Sequence, residues 1–241
     1  FSADSGPFDY LNVGETLSIA YTLVVSDDSG APSATSEPIV VTIEIAGTND
    51  SPVIAPAVQS AALTEDTDVN LGGDLTAAGS ISFSDLDTTD VSLVTAAVSN
   101  LSVTSATGTL SSALETALGS AFSISGDGVA PSAPANAGTV EWGFAVGNAL
   151  VQYLAAGEVV EAVYTITVTD ANGGIATRPV TITITGVNDA PAITIAGGDS
   201  AAETLTETDA ALATSGTLSV GDVDETDTSL ATVVRTSTAP S

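Results

Sequence analysis

The sequence predicts an all-β protein made of tandem antiparallel β-sandwiches, with one short helix near residues 110–122. Three observations indicate this fold class. Apolar residues alternate with polar ones over strand-sized segments, turn residues separate those segments, and long parts of the chain repeat. The apolar runs are far shorter than the about 20 residues that cross a bilayer, so membrane insertion is not expected.

The individual elements follow from these patterns. Apolar residues occupy every second position over 164–168 and again over 180–184, and the sequence Asp-Ala-Asn-Gly-Gly lies between them, which predicts a hairpin. Residues 17–25 and 39–45 repeat this pattern with a longer loop that contains proline. In residues 110–122 the apolar residues recur near helical spacing, and this predicts the one short helix.

Internal similarity predicts how the chain is divided. Residues 10–27 (YLNVGETLSIAYTLVVSD) match 153–170 (YLAAGEVVEAVYTITVTD), GTNDSPVI (47–54) matches GVNDAPAI (186–193), and FSDLDTTDVSL (83–93) matches VGDVDETDTSL (220–230). The order of these matches predicts the C-terminal half of a first repeat over 1–48, a complete repeat over 49–189, and the N-terminal half of a third repeat over 190–241. We therefore expect the chain to be an interior piece of a longer protein.

Composition limits the chemistry. The 241 residues contain 30 Asp and Glu against 2 Lys and Arg, a formal net charge of −28, and no His, Cys or Met. Nitrogen and sulfur metal ligands, Ser–His and Cys–His catalytic pairs and disulfides are therefore excluded. Such a negative field repels nucleic acid and anionic membrane surfaces and attracts cations.

The topology of a sandwich predicts where the carboxylates gather. The chain runs back and forth between the two ends of the sandwich, so the end at which each loop lies can be predicted. With residues 53–63 as the first strand and 79–84 as the next, loops from neighbouring repeats converge on the two linkers. The residues expected at the first seam, around residues 49 and 50, are Glu15, Asn49, Asp50, Asp85, Asp87, Asp90 and Asp170. Those expected at the second seam, around residues 188 and 189, are Glu65, Glu158, Asn188, Asp189, Asp222, Asp224 and Asp227.

These clusters predict calcium at both seams. Two like charges about 4 Å apart cost on the order of 4 kcal/mol at an effective dielectric constant near 20. Ca²⁺ accepts six to eight oxygen ligands in irregular geometry, whereas Mg²⁺ requires a stricter octahedron. A single D-x-D is more often a solvated turn than a metal ligand. The recurrence of the pattern at two seams favours the metal interpretation.

The repeated residues resemble a known family. The run FDYLNVGETLSIAYTLVVSDDSG, its second copy preceded by GTVEWGF, and the motif G-x-NDAP resemble the VCBS-type repeat of bacterial giant adhesins, many of which also carry RTX repeats. The resemblance implies a cadherin-like or immunoglobulin-like sandwich, type I secretion to the cell surface, and a role in adhesion or biofilm without catalytic activity. The seams are also similar to those of cadherins, in which calcium binds between domains.

Three functions remain open on these grounds. The preferred hypothesis is a calcium-rigidified extracellular stalk segment of a surface adhesin, whose partners are calcium ions and neighbouring repeats. The alternative is a self-assembling fibre or surface-layer subunit, in which residues 192–241 of one chain and 1–50 of an identical chain complete a sandwich end to end. A glycosidase with paired carboxylates is the least favoured, because the acidic residues lie in loops that recur at the seams.

Overall fold

The structure, a computed structural model, describes residues 2–31, 35–89, 93–105, 110–125 and 136–234. Its strands are β1 (Thr16–Leu23), β2 (Ile39–Ala46), β3 (Val53–Ile54), β4 (Gln59–Thr64), β5 (Asp74–Asp85), β6 (Leu93–Ser105), β7 (Phe122–Ser125), β8 (Asn136–Gly147), β9 (Val159–Thr169), β10 (Ile175–Thr185), β11 (Ala192–Thr194) and β12 (Ser219–Gly221). The helix α1 spans Ser112–Leu118, and short 3-10 turns lie at Gly6–Phe8 and Asn148–Leu150. The all-β class and the short helix are confirmed.

The strands between residues 53 and 185 form two four-stranded sheets. One sheet has the order β4-β10-β9-β6, with β4 parallel to β10 and the other pairs antiparallel. The second has the order β3-β5-β8-β7 and is antiparallel throughout. The predicted hairpin is present as β9 and β10, in which Tyr164 lies opposite Val180. One core fills the space between the two sheets.

The single strand predicted over residues 53–63 is wrong. Residues Val53–Ile54 pair with β5 in one sheet, whereas Gln59–Thr64 run beside β10 in the other. Pro56 lies between the two segments, and a proline has no N–H to donate to a strand ladder, so the chain crosses from one sheet to the other at this point. The strand predicted over 79–84 is also longer, because β5 begins at Asp74.

The core is organised around Tyr164. This side chain is fully buried, its ring centroid lies 4.6 Å from that of Phe122, and its hydroxyl donates to the carbonyl oxygen of Leu118 at 2.9 Å. Ser111 caps α1 by accepting from the amide of Leu114 at 3.1 Å, which directs Leu114 and Leu118 into the core. The helix thereby covers an edge of the sandwich core.

Two shorter strand pairs flank these sheets. Strands β1 and β2 pair with Tyr21 opposite Val41, the same register as the equivalent residues of β9 and β10. Strands β11 and β12 pair in the same register as β3 and β5. The apolar face of β1 and β2 is open: Tyr21 is 47% exposed, whereas its counterpart Tyr164 is 0% exposed. The described helices include none that is long and apolar enough to cross a membrane.

Candidate cation sites at the two repeat seams

The first seam joins the linker to two loops of the sandwich. The backbone amide of Asp50 donates to Asp87 Oδ2 at 2.7 Å, and the side-chain amide of Asn49 donates to Asp170 Oδ2 at 3.0 Å. Asp85 Oδ1 accepts from the amide of Asp87 at 3.1 Å. The side chains of Asp85, Asp87 and Asp170 are all buried. The structure thus brings these five predicted residues together at one end of the sandwich.

A tight turn positions Asp170. Its Oδ1 accepts from the backbone amides of Asn172 and Gly174, each at 2.8 Å, as in an Asx-type turn. A Cβ at position 174 would lie only 2.7 Å from the hydroxyl of Ser51 and would collide with the Asp170 carboxylate. Only glycine therefore allows the linker and this turn to approach so closely.

The segment before the linker also contacts the seam. The side-chain amide of Asn172 donates to Asn12 Oδ1 at 2.9 Å, and that of Asn12 donates to Thr89 Oγ1 at 3.4 Å. The carbonyl oxygen of Tyr10 accepts from the amide of Thr88 at 3.4 Å. Hydrogen bonds therefore link residues on both sides of the linker.

The second seam repeats this arrangement at equivalent positions. The backbone amide of Asp189 donates to Asp224 Oδ2 at 2.9 Å, as Asp50 does to Asp87, and Asp222 Oδ1 accepts from the amide of Asp224 at 3.2 Å. The carbonyl oxygen of Tyr153 accepts from the amide of Glu225 at 3.2 Å. Two stretches of chain far apart in sequence therefore build the same junction.

The second seam also holds a compact group of carboxylates. One ligand oxygen each from Glu65, Asp66 and Asp189 lies within 4.8 Å of the others, and no other such group is found among the described residues. Glu65 is 0% exposed, and its Oε2 has no hydrogen-bond partner within the part of the chain that the structure describes. Asp66 has a φ of 57°, the left-handed region that Asp and Asn tolerate better than most residues.

The electrostatics of this group favour a bound cation. Burial, with a smaller contribution from the charges of Asp66, Asp189 and Asp224, raises the pKa of Glu65 to about 7. Burial also raises the pKa of Asp189, with the neighbouring carboxylates acting in the same direction. At the separation seen here each pair of ionised groups repels by about 3 to 4 kcal/mol at an effective dielectric constant near 20. A divalent ion would convert this repulsion into attraction.

Within the described ranges, no basic side chain offsets this charge. Arg178 is the one basic residue in the described ranges, and its guanidinium donates to the carbonyl oxygens of Ile54 and Ala55 at 3.1 and 2.8 Å. It thereby ties β10 to the start of the sandwich. The oxygen-only donor set of the seams fits a hard cation such as Ca²⁺.

The remaining predicted residues take different places. Glu15 and Glu158 each accept, through Oε2, the amide of the residue three positions before, and Glu158 Oε1 also accepts from Thr226 Oγ1 at 2.9 Å. Asn188 donates to the carbonyl oxygen of Asp189. Asp227 contributes its backbone amide, which donates to the Asp224 carbonyl oxygen at 3.2 Å. Asp90 lies outside the described residues. That these residues bind calcium stays a prediction.

Sequence reasoning missed three residues of the second seam. Asp66 belongs to the carboxylate group, and the side-chain amides of Gln152 and Asn148 donate to its Oδ1 at 2.9 and 2.6 Å. Asp66 follows Glu65 directly in the turn, so the loop order that places Glu65 at this seam places Asp66 there as well. The sequence does not mark Gln152 and Asn148 as members of a cation site, because neutral polar side chains occur in many surface turns.

Comparisons with known proteins give distant structural likenesses. No family model and no curated protein matches the chain. The CooA pilin subunit from enterotoxigenic Escherichia coli is 8% identical, with a TM-score of 0.39, over 57% of this chain and 99% of that one. CfaE, the adhesive subunit of CFA/I fimbria of the same organism, is 12% identical, with a TM-score of 0.36, over 75% of this chain and 61% of that one.

A human protein gives a similar result. The ASH/PapD-like domain of CEP192 is 10% identical, with a TM-score of 0.35, over 59% of this chain and 89% of that one. At such scores these likenesses carry no argument about function. The sandwich assignment rests on the strand order and registers described above.

Proposed function

We propose that this chain is a calcium-rigidified segment of the extracellular stalk of a large bacterial surface adhesin. In this proposal its repeats are of the VCBS type, and they hold a distal binding module away from the cell for adhesion or biofilm formation. The segment itself has no catalytic role. Type I secretion delivers the chain, which folds on meeting the high calcium concentration outside the cell.

One observation carries this proposal. At both seams a linker aspartate donates its backbone amide to the second aspartate of a D-x-D loop, as Asp50 does to Asp87 and Asp189 does to Asp224. The linker aspartate must therefore lie next to the carboxylates of that D-x-D loop. A cation at this point contacts groups on both sides of the junction, and binding to that arrangement stabilises it by mass action.

Calcium titration into the chelated protein tests the proposal. Thermal unfolding and small-angle X-ray scattering are followed together from excess EDTA to millimolar calcium. We expect the melting temperature to rise by several degrees and the scattering to change toward one extended conformation, because the seam carboxylates stop repelling each other. The substitutions Asp87→Asn and Asp224→Asn keep an acceptor for the linker amide but remove a charge, so each should weaken the calcium response.

Glu161→Gln is the matched control. Glu161 is an exposed carboxylate on β9, so its substitution removes the same charge away from both seams and should leave the calcium response unchanged. Equal melting temperatures in EDTA and in calcium, for the unsubstituted chain, would contradict the proposal.

A second candidate function is a self-assembling extracellular fibre, and the open face of β1 and β2 favours it. Leu23 and Val41 are 58% and 45% exposed, whereas their counterparts Ile166 and Val180 are 0% exposed in the sandwich core. In such a fibre, residues 190–234 of a second copy would cover this face, because they match the first strands of the complete repeat.

Light scattering separates the two candidates. The fibre predicts polymers whose mass grows with protein concentration, and Tyr21→Asp should abolish them by placing a charge in the apolar face. A monomer at every concentration, with or without calcium, excludes the fibre and leaves the stalk.

A further inference from the structure

An amide side chain lies between the carboxylates of the second seam. Gln152 Nε2 donates to Glu65 Oε1 at 2.7 Å and to Asp66 Oδ1 at 2.9 Å. Asn148 holds the same aspartate from both sides: its Nδ2 donates to Asp66 Oδ1 at 2.6 Å, and its Oδ1 accepts from the Asp66 amide at 3.1 Å. Two neutral amides thus hold two carboxylates of the complete repeat side by side.

A second observation points to a ligand at this place. Glu65 Oε2 is buried without a hydrogen-bond partner among the described residues, in a group whose other members are Asp66 and Asp189. Buried polar atoms in folded proteins nearly always have partners, and a carboxylate oxygen without a donor is costly. The partner that suits such an oxygen beside two further carboxylates is a divalent cation.

We propose that Asp66 completes a divalent-cation site with Glu65 and Asp189, and that Gln152 is the positioning residue that holds this site together without the ion. When the ion binds, the Gln152 amide turns over and offers its oxygen as a further ligand. The inference rests on the proposed function and deepens it, since it names the ligands and the ion-free arrangement of one seam.

The chemistry of an amide allows this exchange of roles. The NH₂ group and the oxygen of glutamine have nearly the same shape, so half a turn of the amide replaces a hydrogen-bond donor with an acceptor. Ca²⁺ accepts amide oxygens together with carboxylates and tolerates an irregular shell. The donor arrangement satisfies two carboxylates in the absence of the ion, and the acceptor arrangement satisfies the ion.

The first seam differs at this position. Aligning Tyr10 with Tyr153 places Asp9 opposite Gln152, while Asp50 is the counterpart of Asp189. Asp4, Asp9 and Asp50 line a cavity of about 390 Å³ there. The first seam thus carries a negative group where the second seam has a neutral amide. The two seams therefore differ at this position, because Gln152 donates two hydrogen bonds to carboxylates at the second seam and an ionised Asp9 has no side-chain donor to offer at the first.

Charge substitutions at position 152 test the inference in opposite directions. In the full 241-residue chain, Gln152→Lys places an ammonium group where the cation binds. It should raise the melting temperature in EDTA and remove the calcium-binding site of the second seam. Gln152→Glu adds a carboxylate, so it should lower the melting temperature in EDTA and tighten calcium binding at that site by about tenfold. Isothermal titration with calcium chloride measures the number of calcium sites and the affinity of each.

Asp66→Asn tests the new ligand separately. Asparagine adopts the left-handed conformation at least as readily as aspartate, so the turn is preserved while the charge is lost. We expect calcium affinity at one site to fall by about tenfold, and Glu161→Gln to leave it unchanged. Circular dichroism in calcium verifies that each variant is folded.

The outcomes distinguish this inference from the proposed function. If the unsubstituted chain binds calcium and all three seam variants bind it with the same number and affinity, the inference is overturned and the stalk proposal stands. A purely structural role for Gln152 predicts that Lys and Glu both lower the melting temperature in EDTA, and that result also overturns the inference. No calcium binding by the unsubstituted chain overturns both.

Discussion

Asp50 and Asp189 contact the D-x-D loop that follows each linker through their backbone amides rather than their carboxylates. Hydrogen bonding through the backbone amide fixes the path of the linker and leaves the side-chain oxygens of the aspartate available for a cation. The neighbouring asparagines add to the effect, since Asn49 and Asn188 each donate to the carbonyl oxygen of the aspartate that follows. The ND dipeptide therefore combines a rigid linker with oxygen ligands.

The close contact at Gly174 gives a residue-scale prediction. A methyl group there meets the Ser51 hydroxyl and the Asp170 carboxylate, so Gly174→Ala should move the linker away from the β9–β10 turn. We expect a loss of about 1 to 3 kcal/mol in unfolding free energy and weaker calcium binding at the first seam. Gly197→Ala is the control, because nothing lies within 4 Å of a Cβ there and its φ is not positive. Equal effects of the two substitutions would contradict the assignment.

The raised pKa of Glu65 gives a second prediction at this scale. Because its folded pKa of about 7 lies above the ordinary value of 4.5, the folded state holds the proton more tightly. The stability that this group contributes is full below pH 4.5 and is lost as the pH rises to about 7. In EDTA, the melting temperature of Glu65→Gln should therefore exceed that of the unsubstituted chain increasingly between about pH 4.5 and 7, the span between these two values.

Calcium provides the control for that comparison. With the ion present the ionised form of Glu65 is favoured, so the unsubstituted chain should no longer lose stability over this pH range. Parallel pH profiles of the two proteins in EDTA would show that Glu65 does not titrate as the structure indicates.

Among the elements, the repeated strand pair shows how context decides burial. Strands β1 and β2 carry the same apolar pattern and register as β9 and β10, yet the counterparts of fully buried residues are about half exposed. Alternation of apolar residues predicts a strand and one apolar face. It does not predict what covers that face, which depends here on β5, β8 and α1.

Matched substitutions on these two hairpins make the difference measurable. Tyr164→Ala removes a core ring and should cost about 3 to 5 kcal/mol, whereas Tyr21→Ala should change stability by less than about 1 kcal/mol. Urea unfolding followed by the fluorescence of Trp142, the one tryptophan, reports on the sandwich itself. A large cost at Tyr21 would mean that the β1–β2 face is covered in solution.

The sequence predicted the strand class, the helix and both hairpins, because each depends on local periodicity. It failed over residues 53–63, where the apolar pattern continues but Pro56 moves the chain to the other sheet. The gathering of Asp85, Asp87 and Asp170 near Asn49 could be predicted, since the order of the strands along the chain fixes the end of the sandwich at which each loop lies. The pairing of Gln152 with Glu65 and Asp66 could not, because it depends on side-chain directions in two loops.

For the whole molecule, the net charge of −28 raises a question that the seams alone do not answer. Calcium could stabilise the chain by screening its charge generally or by occupying sites. The two explanations make different predictions about salt. At about 1 M NaCl the Debye length is about 3 Å, so general repulsion between exposed carboxylates is largely removed.

A salt comparison therefore decides between screening and sites. In EDTA, 1 M NaCl should recover only part of the rise in melting temperature that millimolar calcium gives, because sodium does not bridge a linker and a loop. Magnesium at the same concentration as calcium should give less, since it keeps its waters and requires an octahedral shell that these irregular loops do not offer. If sodium or magnesium reproduces the whole calcium effect, the carboxylates act as a diffuse charge, and a rigid stalk cannot depend on ions held at the seams.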